Sequence, residues 1–365
     1  MRAISNFGRS AAAALVMACS VPGATVAKPD CADVLSDPTR LGVGRVVEVD
    51  TARGPVFGTL TKLPHEAPFL APKEVVLTFD DGPLPWISRA ILDALDRHCT
   101  RATFFSVGKM ALAYPSVIRE EMDRGHTVGT HTWSHPLNLK RLKLDAATAE
   151  IERGFAAVSA AAGQPVAPFF RFPGLSDSPS MVAHLEERHV GTFTVDVVSN
   201  DSFIHDPARL TRETLAKVDA NHGGIILFHD IKPATAKALP AILDALAARG
   251  YSVVHIMPKV PVAPKPDLVA GFEPQVARLI AQKTQGTAPL MPFFGTTGPQ
   301  RATGITHEEK PDSATVHAPP ADEARENQPA AAEPTKPRIK RTSLRRIDGT
   351  GSAWSTSIRR TPREP

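Results

Sequence analysis

Between about residues 43 and 254 the chain alternates short apolar runs with longer amphipathic stretches. VVLTF (75–79), ATFFSV (102–107), TVGT (127–130), PFFRF (168–172), GTFTV (191–195), GIILF (224–228) and YSVVH (251–255) are short and rich in β-branched or aromatic residues, so they read as buried strands. Helical periodicity fills the gaps, near 86–98, 108–124, 145–162, 178–188, 207–220 and 234–249. Strand and helix alternating in this way predict an α/β fold of right-handed βαβ units around a parallel sheet. About seven strands suit a closed or nearly closed barrel with helices outside; an open, doubly wound sheet has the same periodicity.

The texture changes after Met257. PKVPVAPKP (258–266) opens a stretch dominated by Pro, Ala, Thr, Glu and Lys that runs to residue 365. Its apolar patch, FEPQVARLIAQ (272–282), has the spacing of a short helix, and the remainder has too little apolar surface to offset its ordering entropy. The expected organisation is a signal peptide over 1–27, an N-terminal segment over 28–74, a catalytic domain over 75–257 and a mostly disordered tail over 258–365. Removing the tail is expected to leave the domain's chemistry intact.

Charge and cysteine content refine this picture. The formal net charge is +4, but Lys336–Pro365 carries nine basic residues against two acidic ones, leaving the rest of the chain near −3. The body is therefore not built to bind nucleic acid; electrostatic contact with envelope polymers would belong to the basic tail. Arg2, Arg9, the apolar run AAAALVMA (11–18) and the small residues before Ala27 form an export signal too short to span a bilayer. Lipid modification at Cys19 is the competing reading. Cleavage after residue 27 leaves Cys31 and Cys99, an even pair in an oxidising compartment, and a disulfide between them is expected against the alternative of two free thiols. The mature protein is read as periplasmic or secreted, monomeric and without a transmembrane span.

The chemistry-bearing residues lie where those strands end, the edge on which parallel α/β folds collect function. Asp80 and Asp81 close the first run; a turn role or a cap for the following helix would also suit them. His131 and His135 in HTWSH follow TVGT directly, and four-residue spacing on a helical turn would let both chelate one ion. Position 132 holds Thr, where HEXXH zincins carry a Glu, so a base must come from elsewhere. Two histidines and one aspartate leave a divalent cation with open positions, as in catalytic zinc sites, and free the second aspartate to accept a proton. Arg171 and His229 emerge from two further strand ends, the one to hold an aspartate ionised and the other to protonate a leaving group.

Together TFDDG, HTWSH, RFPG, the segment from Asp196 to Asp201, and LFH resemble, in order, the motifs of the polysaccharide deacetylase family with a NodB homology domain, carbohydrate esterase family 4. The resemblance covers about residues 75–255. It implies a distorted (β/α)7 barrel, Zn2+ or a similar ion such as Co2+, and hydrolysis of N-acetyl groups on amino sugars of an envelope or extracellular glycan, peptidoglycan or chitin-like. By motif position Asp80 resembles the general base and Asp81, His131 and His135 the metal ligands. Arg171 matches the residue that positions the base. His229 matches the general acid, Leu227 lines the acetyl pocket, and Asp201, chosen over Asp196, orients His229. The expected oxyanion donor is the backbone of Gly174 beside Pro173. This chain departs from the motifs at Ser202, where a Trp is usual, and at Phe172-Pro173-Gly174, which lacks the usual second proline and aromatic residue. O-acetyl ester hydrolysis and a non-catalytic carbohydrate-binding relative are the alternative readings.

Overall fold

The structure is a computed structural model that describes residues 31, 37 and 39–284. The signal-peptide reading, Cys19 and the basic end of the tail lie outside the described residues. The elements run β1 (Arg45–Val49), β2 (Val56–Phe57), β3 (Glu74–Asp80), α1 (Pro85–Arg97), β4 (Thr103–Ser106), α2 (Gly108–Ala113), α3 (Pro115–Asp123), β5 (Thr127–Thr130) and α4 (Leu144–Ala162). They continue with β6 (Phe169–Phe170), α5 (Pro179–Glu187), β7 (Gly191–Phe193), β8 (Val197–Val198), α6 (Pro207–Ala220), β9 (Gly223–His229), α7 (Pro233–Ala248), β10 (Ser252–Pro258) and α8 (Pro266–Thr284).

Every strand pairing is parallel. β9 pairs with β3, and the sheet continues through β4, β5 and β6 to β7. β7 and β8 are two halves of one extended stretch; the first pairs with β6 and the second with β9, so the hydrogen bonding returns to its start. This is the distorted (β/α)7 barrel expected from the sequence. The seven anticipated strands are β3, β4, β5, β6, β7, β9 and β10. Two short pieces of the N-terminal segment join them, β1 on β10 and β2 on β7.

Side chains alternate across β3 as a strand requires. Val75, Leu77 and Phe79 face outward into a cluster with Ile91 and Leu95 of α1, Leu210 and Val218 of α6, and Leu239 and Leu243 of α7. Val76 faces the barrel interior with Phe105, Phe169, Phe193, Ile225 and Leu227. Proline at the start of α1, α3, α5, α6 and α7 sets the backbone angle of the first turn where its missing N–H costs nothing. The same chemistry splits the helix expected over 108–124: Pro115 begins a second helix, and α2 ends at Ala113.

Two further expectations meet the structure here. Cys31 and Cys99 are joined by a disulfide closing 68 residues of sequence, for which loop-closure entropy alone would contribute about 4 kcal/mol. The domain boundary at 257 is not the end of the folded chain. Val262 N donates to Val166 O, Arg188 Nη2 to Ala263 O at 2.7 Å, and α8 then lies along α4. Among the described residues no helix is long and apolar enough to cross a membrane.

Phe79 is fully buried, its ring stacked between Phe104 at 5.2 Å and Phe228 at 5.5 Å. Phe79→Ala is expected to lower unfolding free energy by about 3–5 kcal/mol, read by denaturant titration.

Candidate active site and metal centre

Alternation along β3 brings Thr78 and Asp80 to the inner face, Asp80 at the barrel's C-terminal mouth opposite His229 of β9. Strict alternation would send Asp81 to the other face. Instead Asp81 takes a left-handed backbone conformation, φ 78°, which costs about 1–2 kcal/mol for a side-chain-bearing residue and turns it back. Both carboxylates then approach one histidine: His131 Nε2 lies 3.8 Å from Asp80 Oδ2 and 3.6 Å from Asp81 Oδ1. Neither aspartate caps α1, whose N-cap residue is Leu84. The chain leaves through Gly82, where a Cβ would collide with the buried carboxylate of Asp230. Asp230 accepts a hydrogen bond from Ser88 Oγ at 2.6 Å, and burial pushes its pKa up to about 7.

The histidine pair sits on an irregular turn rather than the helical turn expected. His131 N extends the ladder by donating to Ser106 O, and Thr132 and His135 both adopt positive φ, 69° and 58°. The carbonyls of Thr132 and Trp133 accept from the first N–H groups of α2, and Trp133 N donates to Glu150 O in α4. The turn is thus held by tertiary contacts in place of an i→i−4 ladder, yet it brings the two rings to 4.9 Å, centroid to centroid.

His131, His135 and Asp81 each offer a ligand atom, and all three atoms lie within 4.8 Å of one another. His131 Nδ1 donates to the carbonyl of Arg171 at 2.7 Å, since a carbonyl only accepts, so Nε2 carries the lone pair that faces Asp81. Burial pulls the His131 pKa down to about 3 and keeps the ring neutral. Asp81 Oδ1 is buried with no hydrogen-bond donor, 3.1 Å from His135 Nε2. A lone pair and an unsatisfied carboxylate oxygen facing each other fit a cation between them.

Arg171 fills the barrel beneath Asp80 and is fully buried. Its Nη1 donates to Asp80 Oδ1 at 2.7 Å and to Thr78 Oγ1 at 2.8 Å, Nε donates to Phe193 O, Nη2 donates to Thr194 O, and the guanidinium lies 4.2 Å from the Phe105 ring centroid. Burial raises the Asp80 pKa above the usual carboxylate range, and Arg171 works against that rise. Across the mouth, His229 Nδ1 is 2.7 Å from Asp201 Oδ1, and Asp201 Oδ2 accepts from the His229 backbone N–H and from Thr235 Oγ1. Although burial opposes it, the bond to Asp201, with the charges of Asp201, Asp81 and Asp80, lifts His229 to about 9. Asp201 itself is held below its ordinary value by those donors, His229 first, against the upward push of burial. Asp196 is employed elsewhere, accepting from Thr59 and from Ile225 N near the start of β9.

The remaining anticipated residues share this edge. Leu227 precedes His229 by two positions on the inner face of β9. Pro173 and Gly174 follow Arg171 in a short 3-10 turn, Gly174 at φ 59° with Leu137 beside it. Sequence reasoning missed Thr78, Glu150, Ser88, Asp230 and Thr235. Thr78, the first residue of TFDDG, and Asp230, next to His229, had a signal in the motifs themselves; the other three had none.

A family model described as polysaccharide deacetylase matches residues 70–190, which span Asp80, Asp81, His131, His135 and Arg171. Over that stretch the chain resembles the polysaccharide deacetylase family. Its likeness to a peptidoglycan-N-acetylglucosamine deacetylase of Listeria monocytogenes is 31% identity over 197 residues, 53% of this chain and 40% of the relative. A chitooligosaccharide deacetylase of Azorhizobium caulinodans is 29% identical, over 49% of this chain and 90% of the relative. Among solved structures, a Bdellovibrio bacteriovorus peptidoglycan deacetylase superposes with a TM-score of 0.55 at 33% identity, covering 62% of this chain and 61% of that one. The chain thus spans less than two thirds of the Listeria and Bdellovibrio proteins. The Asp81–His131–His135 triangle is this chain's candidate metal site.

The high pKa of His229 depends on Asp201. In metal-free Asp201→Asn protein the His229 ring is expected to titrate at lower pH than in the parent, measured by NMR of the imidazole protons.

Proposed function

We propose that the chain is a metal-dependent N-deacetylase acting on amino sugars of an envelope or extracellular polysaccharide, peptidoglycan or chitin-like, in the periplasm or after secretion. One observation carries this reading: two adjacent aspartates face one histidine, Asp81 completing a donor triangle while Asp80 is bound instead to Arg171. Asp81, His131 and His135 would hold Zn2+, with Co2+ an acceptable substitute for this nitrogen and oxygen donor set. Such an ion, when bound, polarises the acetyl carbonyl and makes water nucleophilic at neutral pH.

The chain's own residues supply the proton transfers. Asp80, bound to Arg171, whose charge opposes the upward push of burial on its pKa, takes the proton of the attacking water. Gly174 N–H, on the loop after Arg171, donates to the carbonyl oxygen as it gains negative charge. Leu227 offers an apolar wall for the acetyl methyl. His229, protonated through its bond to Asp201, gives its proton to the departing amine nitrogen as the C–N bond breaks. Acetate and a free amino sugar are the products. Named deacetylases of peptidoglycan and of chitooligosaccharides among the relatives support this class of substrate.

Acetate release from N-acetylated peptidoglycan and chitin oligomers, with O-acetylated glycans as controls, tests the reading. Asp80→Asn is expected to bind Zn2+ as the parent does and to lose about 10²- to 10⁴-fold in turnover. His131→Ala is expected to lose both metal and turnover; full activity in either variant overturns the assigned roles.

A further inference from the structure

Trp133 stands midway between the two metal-ligand histidines, and its ring is enclosed from three directions. Its backbone is fixed by α2 and α4: Lys109 N donates to its carbonyl, and Trp133 N donates to Glu150 O. The Arg153 guanidinium lies 4.6 Å from the ring centroid and Lys109 Nζ 5.9 Å. The third side comes from α8, whose Phe272 stacks on the indole with centroids 5.1 Å apart and planes 21° from parallel. Val276, on the same helix, is 4% exposed and packs with Leu112 of α2 and Ala157 and Ala160 of α4.

The turn needs this support because its backbone is locally unfavourable. Two of its five residues, Thr132 and His135, hold positive φ, and the N–H groups of His131, Trp133 and Ser134 donate to partners outside the turn, that of His135 to Thr132 Oγ1. On the α4 side the contact is close: a Cβ on Gly154 would sit 2.8 Å from the Thr132 carbonyl carbon, and Glu150 accepts from Ser134 N at 2.9 Å and from Ser134 Oγ. α4 thus blocks one direction of movement, and the Phe272 ring covers the side chain projecting from the middle of the turn. α8 is itself anchored before it begins, through Arg188 to Ala263 O and Lys265 Nζ at 3.9 Å from the buried Glu152. This helix lies outside the stretch that the family model matches.

We propose that α8 is a positioning element of the metal centre: Phe272, by stacking on Trp133, holds His131 and His135 at the spacing one cation requires. The inference rests on the proposed metal reading of Asp81, His131 and His135. Phe272 touches no ligand atom and acts through Trp133, so its effect falls on how well the site is preorganised, a property that decides the free-energy cost of closing three ligands on one ion. Stacking of aromatic pairs adds about 0.5–1.5 kcal/mol beyond area burial, which corresponds to a change of about 2- to 12-fold in an equilibrium constant if it is spent on the turn.

The test is Zn2+ binding to the full-length protein by chelator competition, with thermal unfolding of the same samples in the metal-free state. Phe272→Ala is expected to weaken Zn2+ binding by up to about tenfold, Phe272→Tyr to restore it, and Val276→Ala to lower metal-free stability while leaving Zn2+ affinity within twofold of the parent. Phe272→Leu, which keeps apolar bulk without a ring, replaces the alanine variant should that unfold. Unchanged affinity in Phe272→Ala or Phe272→Leu, or an equal loss in Val276→Ala, overturns the positioning role while leaving the metal site standing. A parent protein that takes up no Zn2+ or Co2+ overturns the metal reading itself, and the inference with it.

Discussion

The ion pair between Arg171 and Asp80 is the constraint around which the rest is arranged. A guanidinium with no solvent exposure is placed in the middle of a barrel, a location where an unpaired charge would cost several kcal/mol. It is tolerable because its donors are engaged by Asp80, Thr78 and the carbonyls of Phe193 and Thr194, and because Phe105 presents its face to the planar group. Those partners come from β3, from β4, and from the extended stretch that holds β7 and β8. One side chain therefore ties three parts of the barrel wall together from within, and its carbonyl also fixes the tautomer of His131.

That arrangement separates two carboxylates that are neighbours in sequence. Asp80 is almost completely enclosed and faces a cation belonging to the protein; Asp81 reaches the same place by a backbone reversal and is left with an oxygen that no hydrogen bond satisfies. A single alternating strand would have put them on opposite faces. The cost of the left-handed residue is what allows adjacent positions to serve distinct ends in one cavity. Electrostatics across the mouth follow the same logic, with Asp201 and the two aspartates raising the basicity of His229 against its burial.

Much of this was legible in the sequence. The short apolar runs located all seven principal strands, and because parallel folds place chemistry at strand ends, they also located Asp80, His131, Arg171 and His229 on one edge. What could not be read depended on tertiary context. The turn 131–135 looks helical by spacing, yet Thr132 takes positive φ because α2 and α4 satisfy its backbone from outside. The proline at 115 divides a helix whose apolar pattern continues across it. α8 was visible as an apolar patch in proline-rich surroundings, but its packing on Trp133 involves residues 139 positions apart, and nothing local encodes such a contact. Thr235 and Glu150 are likewise ordinary helix residues until the fold brings them to Asp201 and Ser134.

β3 and β9 run side by side over seven paired positions, ending with Asp80 against His229. The gap across which the Asp80 carboxylate and the His229 imidazole face each other is therefore set by main-chain hydrogen bonding and not by loops. Loops at this edge can lengthen or change composition without altering that gap, whereas a slip of one position between the two strands would turn one of the pair toward the helices. Diversification of such a scaffold is thereby steered into the connecting segments, while the strand alignment behaves as a fixed ruler.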